Sequence, residues 1–233
     1  MSRWPLFMLD SFQKVRLEIR CIYIWMRNSQ TMISKKYLLL FFSILLTTVL
    51  FSQEKEMEKE VPFYSIPDAA ESYTPASVAA RMIEGLGFRY RWATENLTEH
   101  DLAYAPDSTA RTSMQTMEHI LGLSNTILNA VKNAPNTRSS SDEEPSWEEI
   151  RLQTLNNFQQ ASELLKADID TDLNDHKIIF KRGDRTSEFP FWNLINGPIS
   201  DALWHCGQVV SFRRASGNPM NPNVNVFRGT IRE

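Results

Sequence analysis

From Thr74 onward, apolar side chains recur every three or four positions, the spacing that lines one face of an α-helix. Ala79, Met82, Ile83, Leu86, Tyr90 and Ala93 predict a first helix, opened by Thr74 as cap residue and Pro75 at the first helical position. Gly85 and Gly87 lower its propensity without breaking the pattern. A loop containing Pro106 follows. Thr112 and Gln115 then match the Thr-x-x-Gln capping box, and Met114, Met117, Leu121, Ile127, Leu128 and Val131 carry the apolar face of a second helix. Residues 133–145 are polar and Pro-bounded, a loop. Ser146 and Glu149 form another capping box, opening a third helix to about Ala167 with Ile150, Leu152, Leu155, Phe158, Ala161, Leu164 and Leu165 facing inward.

The period then changes. Residues 177–181 (KIIFK) read as a short strand, Gly183-Asp184 as a turn and residues 187–189 as the return strand. Asn196-Gly197-Pro198 places a proline near the first position of a fourth helix, which runs to about Ala215 and stops at Gly217 and Pro219. A tail rich in Asn and Pro ends in Val226-Phe227 and is expected to wrap the helices. The predicted architecture of residues 74–233 is all-α: an antiparallel four-helix bundle with a small β-hairpin insert before the last helix.

Composition adds a division that periodicity does not show. The 233-residue chain has a net charge of −3, but residues 1–53 hold seven Lys/Arg and two Asp/Glu, leaving 18 basic against 26 acidic side chains in the remainder. An acidic domain of this kind is not a sequence-independent nucleic-acid binder. Within the basic leader, residues 37–51 form an uncharged run of fifteen behind Lys35 and Lys36, followed by Ser52-Gln53-Glu54. This is the layout of a secretory signal peptide, and it falls short of the about 20 apolar residues a spanning helix needs, with an uncleaved anchor as the alternative. The expectation is an exported protein, periplasmic or extracellular, with no stable membrane insertion after cleavage. Met32 stands just ahead of the basic flank, so residues 1–31 read as lying upstream of the true start; an unusually long leader is the alternative. Residues 54–73 read as a charged linker and a Pro-interrupted strap. Cys206 is the one cysteine of the mature chain: buried and inert as the preferred reading, or exposed and able to join two copies in a homodimer.

Four histidines are the other scarce resource: His100, His119, His176 and His205. Asp201 and His205 stand four apart, on one face and one turn from each other, with Gln208 and Phe212 continuing that stripe. Asp201 is flanked by Ile199, Ala202 and Leu203, and an ionised Asp inside a bundle is costly unless paired or metal-bound. An Asp/His pair so spaced can share one divalent ion, and one further His from a facing helix would leave an open position for water or substrate. A surface ion pair, or an acid in the first helical turn favoured by the macrodipole, remains the plain alternative. His119, midway along the second helix, reads either as a hydrogen-bonded core residue or as a ligand. No P-loop, nucleotide-binding glycine fingerprint, H-E-x-x-H or G-x-S-x-G element is present.

The segment WNLINGPISDALWHCGQVVSFRRASGNP, together with TSMQTMEHILGLSNTI, resembles the DinB-like family of four-helix-bundle metalloenzymes (the DinB/YfiT type) over roughly residues 75–218. Members bind a divalent ion through one His of the second helix and two of the fourth. The resemblance implies His119 and His205 as ligands, with Asp201 where the family usually has its other His. A carboxylate still suits Zn, Ni, Mn or Fe, while favouring the harder ions. Two His and one Asp also match the ligand set of facial-triad iron enzymes. Family activities imply metal-assisted hydrolysis or thiol-group transfer on a small molecule, and export favours hydrolysis because low-molecular-weight thiols are mainly cytosolic. A non-catalytic binding or structural bundle is the rival. Trp192, Asn193 and Asn196 are placed to line a pocket mouth beside the metal, or to serve as lid aromatic, turn and cap; Gln208, to hydrogen-bond a ligand or substrate, or to be structural. Tyr90 and Trp92 are assigned to the core, Trp204 to packing, Arg213 and Arg214 to the helix C-terminus, and His176 to an exposed hairpin position.

Overall fold

The computed structural model describes residues 61–137 and 145–232, all within the unit Lys55–Glu233. The expectations for the leader, for residues 54–60 and for part of the loop before Ser146 lie outside the described residues.

The chain is mostly helical, with two small sheets. Helix α1 spans Pro75–Ala93, α2 Glu99–Ala103, α3 Ser113–Val131 and α4 Trp147–Ala167. Each begins at a reciprocal capping box: Thr74 with Ser77, Thr98 with Asp101, Thr112 with Gln115, Ser146 with Glu149. Each box satisfies two backbone N–H groups that a helix start leaves without partners, at a gain of about 1 kcal/mol for the cap alone. The short α2 fills what the sequence suggested was loop. Strands β2 (Lys177–Arg182) and β3 (Arg185–Pro190) pair antiparallel from Lys177↔Pro190 to Arg182↔Arg185. The two-residue β1 (Pro135–Asn136), within the expected polar loop, adds to β2 in parallel, and Asn136 Nδ2 donates to Ile179 O at 3.1 Å.

The last helix differs from expectation at its start. Helix α5 (Phe191–Leu194) passes through a wide π-type turn (Ile195–Ile199) into α6 (Ser200–Ala215), with right-handed helical backbone at Leu194, Ile195, Ile199 and Ser200. Pro198 therefore sits inside the helical path and does not open it. Proline has no N–H to give to the carbonyl four residues back, and the wider turn absorbs that loss. The Ser200 hydroxyl donates to Ile195 O at 2.7 Å, satisfying a carbonyl there.

Four long helical segments enclose the core: α4 packs on α1 and α3, and α6 packs on α3 and α1. Ile83, Leu86, Phe88 and Tyr90 meet Met117, Ile120, Ile127, Leu155, Phe158, Leu194 and Val209 there, all 2% exposed or less. Tyr90 and Trp92 are core as expected, whereas Leu152, Leu164 and Trp204 are exposed, Trp204 at 72%. Cys206 is buried, and burial pushes its thiol up to about 12, so it is inert.

The strap and the tail both dock. Phe63 lays its ring over Gly87, where a Cβ would come within 2.5 Å of that ring, so the glycine is required by the close approach. Ile66 N–H donates to Gly229 O at 2.8 Å, tying the strap to the tail, whose strands β4 (Val224–Asn225) and β5 (Thr230–Ile231) pair antiparallel. Arg213 lies in the last turn of α6 as expected, where its Nε donates to Asn218 O at 2.7 Å, but it is also buried and its guanidinium donates to Trp92 O and Ala93 O at 3.2 and 3.0 Å, the open carbonyl end of α1. Arg214 stays exposed.

Candidate metal centre

Along α6 the sequence sorts into three stripes. Ala202, Cys206, Val209 and Arg213 are buried; Leu203, Trp204, Gly207 and Ser211 are exposed; Asp201, His205, Gln208 and Phe212 run between them half-buried. His119 is likewise half-buried on α3, between the exposed Glu118 and the buried Ile120. Because α3 and α6 pack together, both seams face one place. Asp201 is thus not the core acid that its apolar neighbours suggested: its side chain is 41% exposed, and desolvation alone does not single it out. Nor does it stand at a free helix start, because the helical path reaches back to Phe191.

The three predicted ligands converge. His119 Nε2 lies 3.1 Å from Asp201 Oδ2, and His205 Nε2 lies 3.4 Å from Asp201 Oδ1. The two imidazoles meet edge to face with centroids 4.7 Å apart, and the three donor atoms all lie within 4.8 Å of one another. Donors on one tetrahedral ion with bonds of about 2.0–2.2 Å are separated by about 3–3.5 Å. The cluster could hold a single divalent ion after small side-chain adjustments, and the mixed nitrogen and oxygen set suits a first-row transition metal.

Gln208 completes the cluster. His205 Nδ1–H donates to Gln208 Oε1 at 2.6 Å. With Nδ1 so committed, a neutral His205 presents its Nε2 lone pair to a carboxylate oxygen. Two acceptors facing each other need a cation between them, either a proton on the ring or a metal ion. Gln208 thus fixes the orientation of the His205 ring from behind, the kind of partner that ring nitrogens of metal-bound histidines also have.

The weaker site candidates fall elsewhere. Trp192 is 74% exposed and lines an apolar groove of about 800 Å³ whose lining includes none of His119, Asp201 and His205. Asn193 and Asn196 are exposed beside it in sequence, and among the described residues no hydrogen bond joins either to the cluster. His176 is half-buried, its Nε2 3.1 Å from Thr171 Oγ1 and its ring against Phe191, which corrects the exposed reading; packing at the base of the hairpin covers it. The groove itself has no single-segment signal, although Met82 and Val78 on α1, 39% and 46% exposed, are apolar side chains left at the surface. The chain matches no family model, no curated protein and no solved structure.

Proposed function

We propose that this chain is an exported, DinB-like antiparallel four-helix bundle that holds one divalent ion through His119, Asp201 and His205. Its reaction is metal-assisted hydrolysis of a small molecule, with thiol-group transfer as the variant of the same chemistry. The single observation that carries this reading is the opposition of His205 Nε2 and Asp201 Oδ1 at 3.4 Å while Nδ1 is committed to Gln208. His119 and His205 supply nitrogen donors from two helices, Asp201 supplies the negative charge, and Gln208 keeps the His205 lone pair turned toward the shared centre. The exposure of Asp201 and His119 leaves one side of the cluster open to solvent and substrate. These residues would hold a divalent ion that, when bound, would supply Lewis-acid chemistry to a water, a thiol or a substrate oxygen.

The rival reading is a non-catalytic bundle in which the His119–Asp201 contact at 3.1 Å is a plain polar pair. Metal analysis of protein purified without an affinity tag separates the two. The expected result is one equivalent of Zn, Mn, Ni or Fe after exposure to each, lost in His205→Ala. Absence of stoichiometric metal in the wild type after all four are offered overturns the proposal.

A further inference from the structure

Trp192 and Tyr73 are 74% and 98% exposed, yet both stand at the edge of the apolar groove between the start of α1, residues 169–174 and α5. Val78 and Met82 line one wall and Leu173 and Phe191 the other. At about 800 Å³ the groove falls within the range of small-molecule sites, about 300–1,000 Å³. Ring faces left in water beside an apolar hollow are surface that a ligand of like character would cover.

Charge narrows the choice of ligand. Among the described residues the ionisable lining groups are Asp170, Asp172 and the Tyr73 phenol; no Lys, Arg or His lines the groove. Asp172 is held in place, its Oδ1 accepting from the backbone N–H and the side-chain amide of Asn174 at 2.9 and 2.8 Å. Two carboxylates without a lining cation repel anions and attract a positive charge, and a cation over a Trp or Tyr ring gains further attraction. We propose that this groove binds a hydrophobic cation, an aryl- or alkyl-ammonium. Its apolar body rests on Val78, Met82 and Phe191, and its ammonium lies between the Asp170–Asp172 rim and the Trp192 ring. The site is separate from the His119–Asp201–His205 cluster and does not depend on it.

Calorimetric titration of the full chain with phenylpropylammonium, neutral phenylpropanol and phenylpropanoate tests the proposal. The ammonium should bind at one site per chain, the alcohol about fivefold more weakly, and the carboxylate not measurably. The double variant Asp170→Asn/Asp172→Asn should bring the ammonium down to the affinity of the alcohol. Trp192→Ala should weaken both by about tenfold. All three substituted positions are exposed, so the variants should keep the wild-type melting temperature. Binding should survive in His205→Ala, which distinguishes failure here from failure of the metal reading. Equal affinity for all three probes, or binding of none, overturns the proposal; light scattering alongside tells whether a second copy covers the groove.

Discussion

Asp101 and Asp201 are both aspartates carried on helices, and their surroundings use the charge in opposite ways. Asp101 is 1% exposed and accepts from Thr98 N–H at 2.8 Å, the Thr98 hydroxyl at 2.7 Å, Asn218 Nδ2 at 2.7 Å and the Ser216 hydroxyl. Burial pushes its carboxyl up, but the hydrogen bonds from Asn218, Ser216 and Thr98 outweigh burial and hold it well below the usual carboxylate range. Asp201 is far more open, and the contacts described for it are the two imidazoles. A buried carboxylate gripped by four N–H and O–H donors is a fastener, its charge spent on holding the fold. One faced by ring nitrogens that are themselves good ligands keeps its oxygens available for an ion.

The sharpest break in that contrast comes from Asp101→Ala, which strands the donors of Ser216, Asn218 and Thr98 in a buried place. Urea denaturation should show a loss of about 3 kcal/mol, with metal stoichiometry unchanged. Asp201→Ala should do the reverse. Without metal its stability should move by no more than about 1 kcal/mol, because the pair is solvent-screened, while metal analysis should show no bound ion. Should Asp201→Ala unfold the protein as readily as Asp101→Ala, the two aspartates share one structural role.

Acid sharpens the comparison further. The folded-state carboxyl of Asp101 is depressed relative to its unfolded value of about 3.9. Its stabilisation is fully present above that value and is lost as pH falls toward the folded-state value. The stability difference between wild type and Asp101→Asn, from urea melts, should therefore stay constant from about pH 7 to 5 and shrink below about pH 4. The smallest effect belongs to Gln208→Leu, which frees His205 to turn. Metal affinity should fall by about tenfold, with the melting curve of metal-free protein unchanged.

What could be read from the sequence follows the range of each interaction. The caps at Thr74, Thr112 and Ser146 are complete within four residues, so the helix starts they set lie where the pattern puts them. Thr98-x-x-Asp101 is the same device with Asp in place of Glu, and the five-residue helix it opens is too short for periodicity to reveal. The Asp201 and His205 spacing is likewise local. His119 stands 82 positions from Asp201, and nothing in either helix alone says that their seams meet; on its own it reads as well as a core residue as a ligand. Arg213 looks like a residue for its own helix end, where it does bind Asn218, but it also serves α1, a partner 120 residues away. The groove joins three separate segments, each unremarkable by itself, and no pattern within one segment announces it.

Along the last helix the buried positions Phe191, Leu194, Ile199, Ala202, Cys206, Val209 and Arg213 advance by threes and fours, except for one stride of five between Leu194 and Ile199. That stride amounts to a single inserted residue accommodated around Pro198. Deleting one residue there would restore an ordinary helix with a stride of four, so Leu194 and Ile199 would stay on the buried face and Trp192, Asp201 and His205 would keep the faces they occupy now. The turn around Pro198 thus carries a spare residue that the helix could gain or lose without disturbing the orientation of either candidate ligand place.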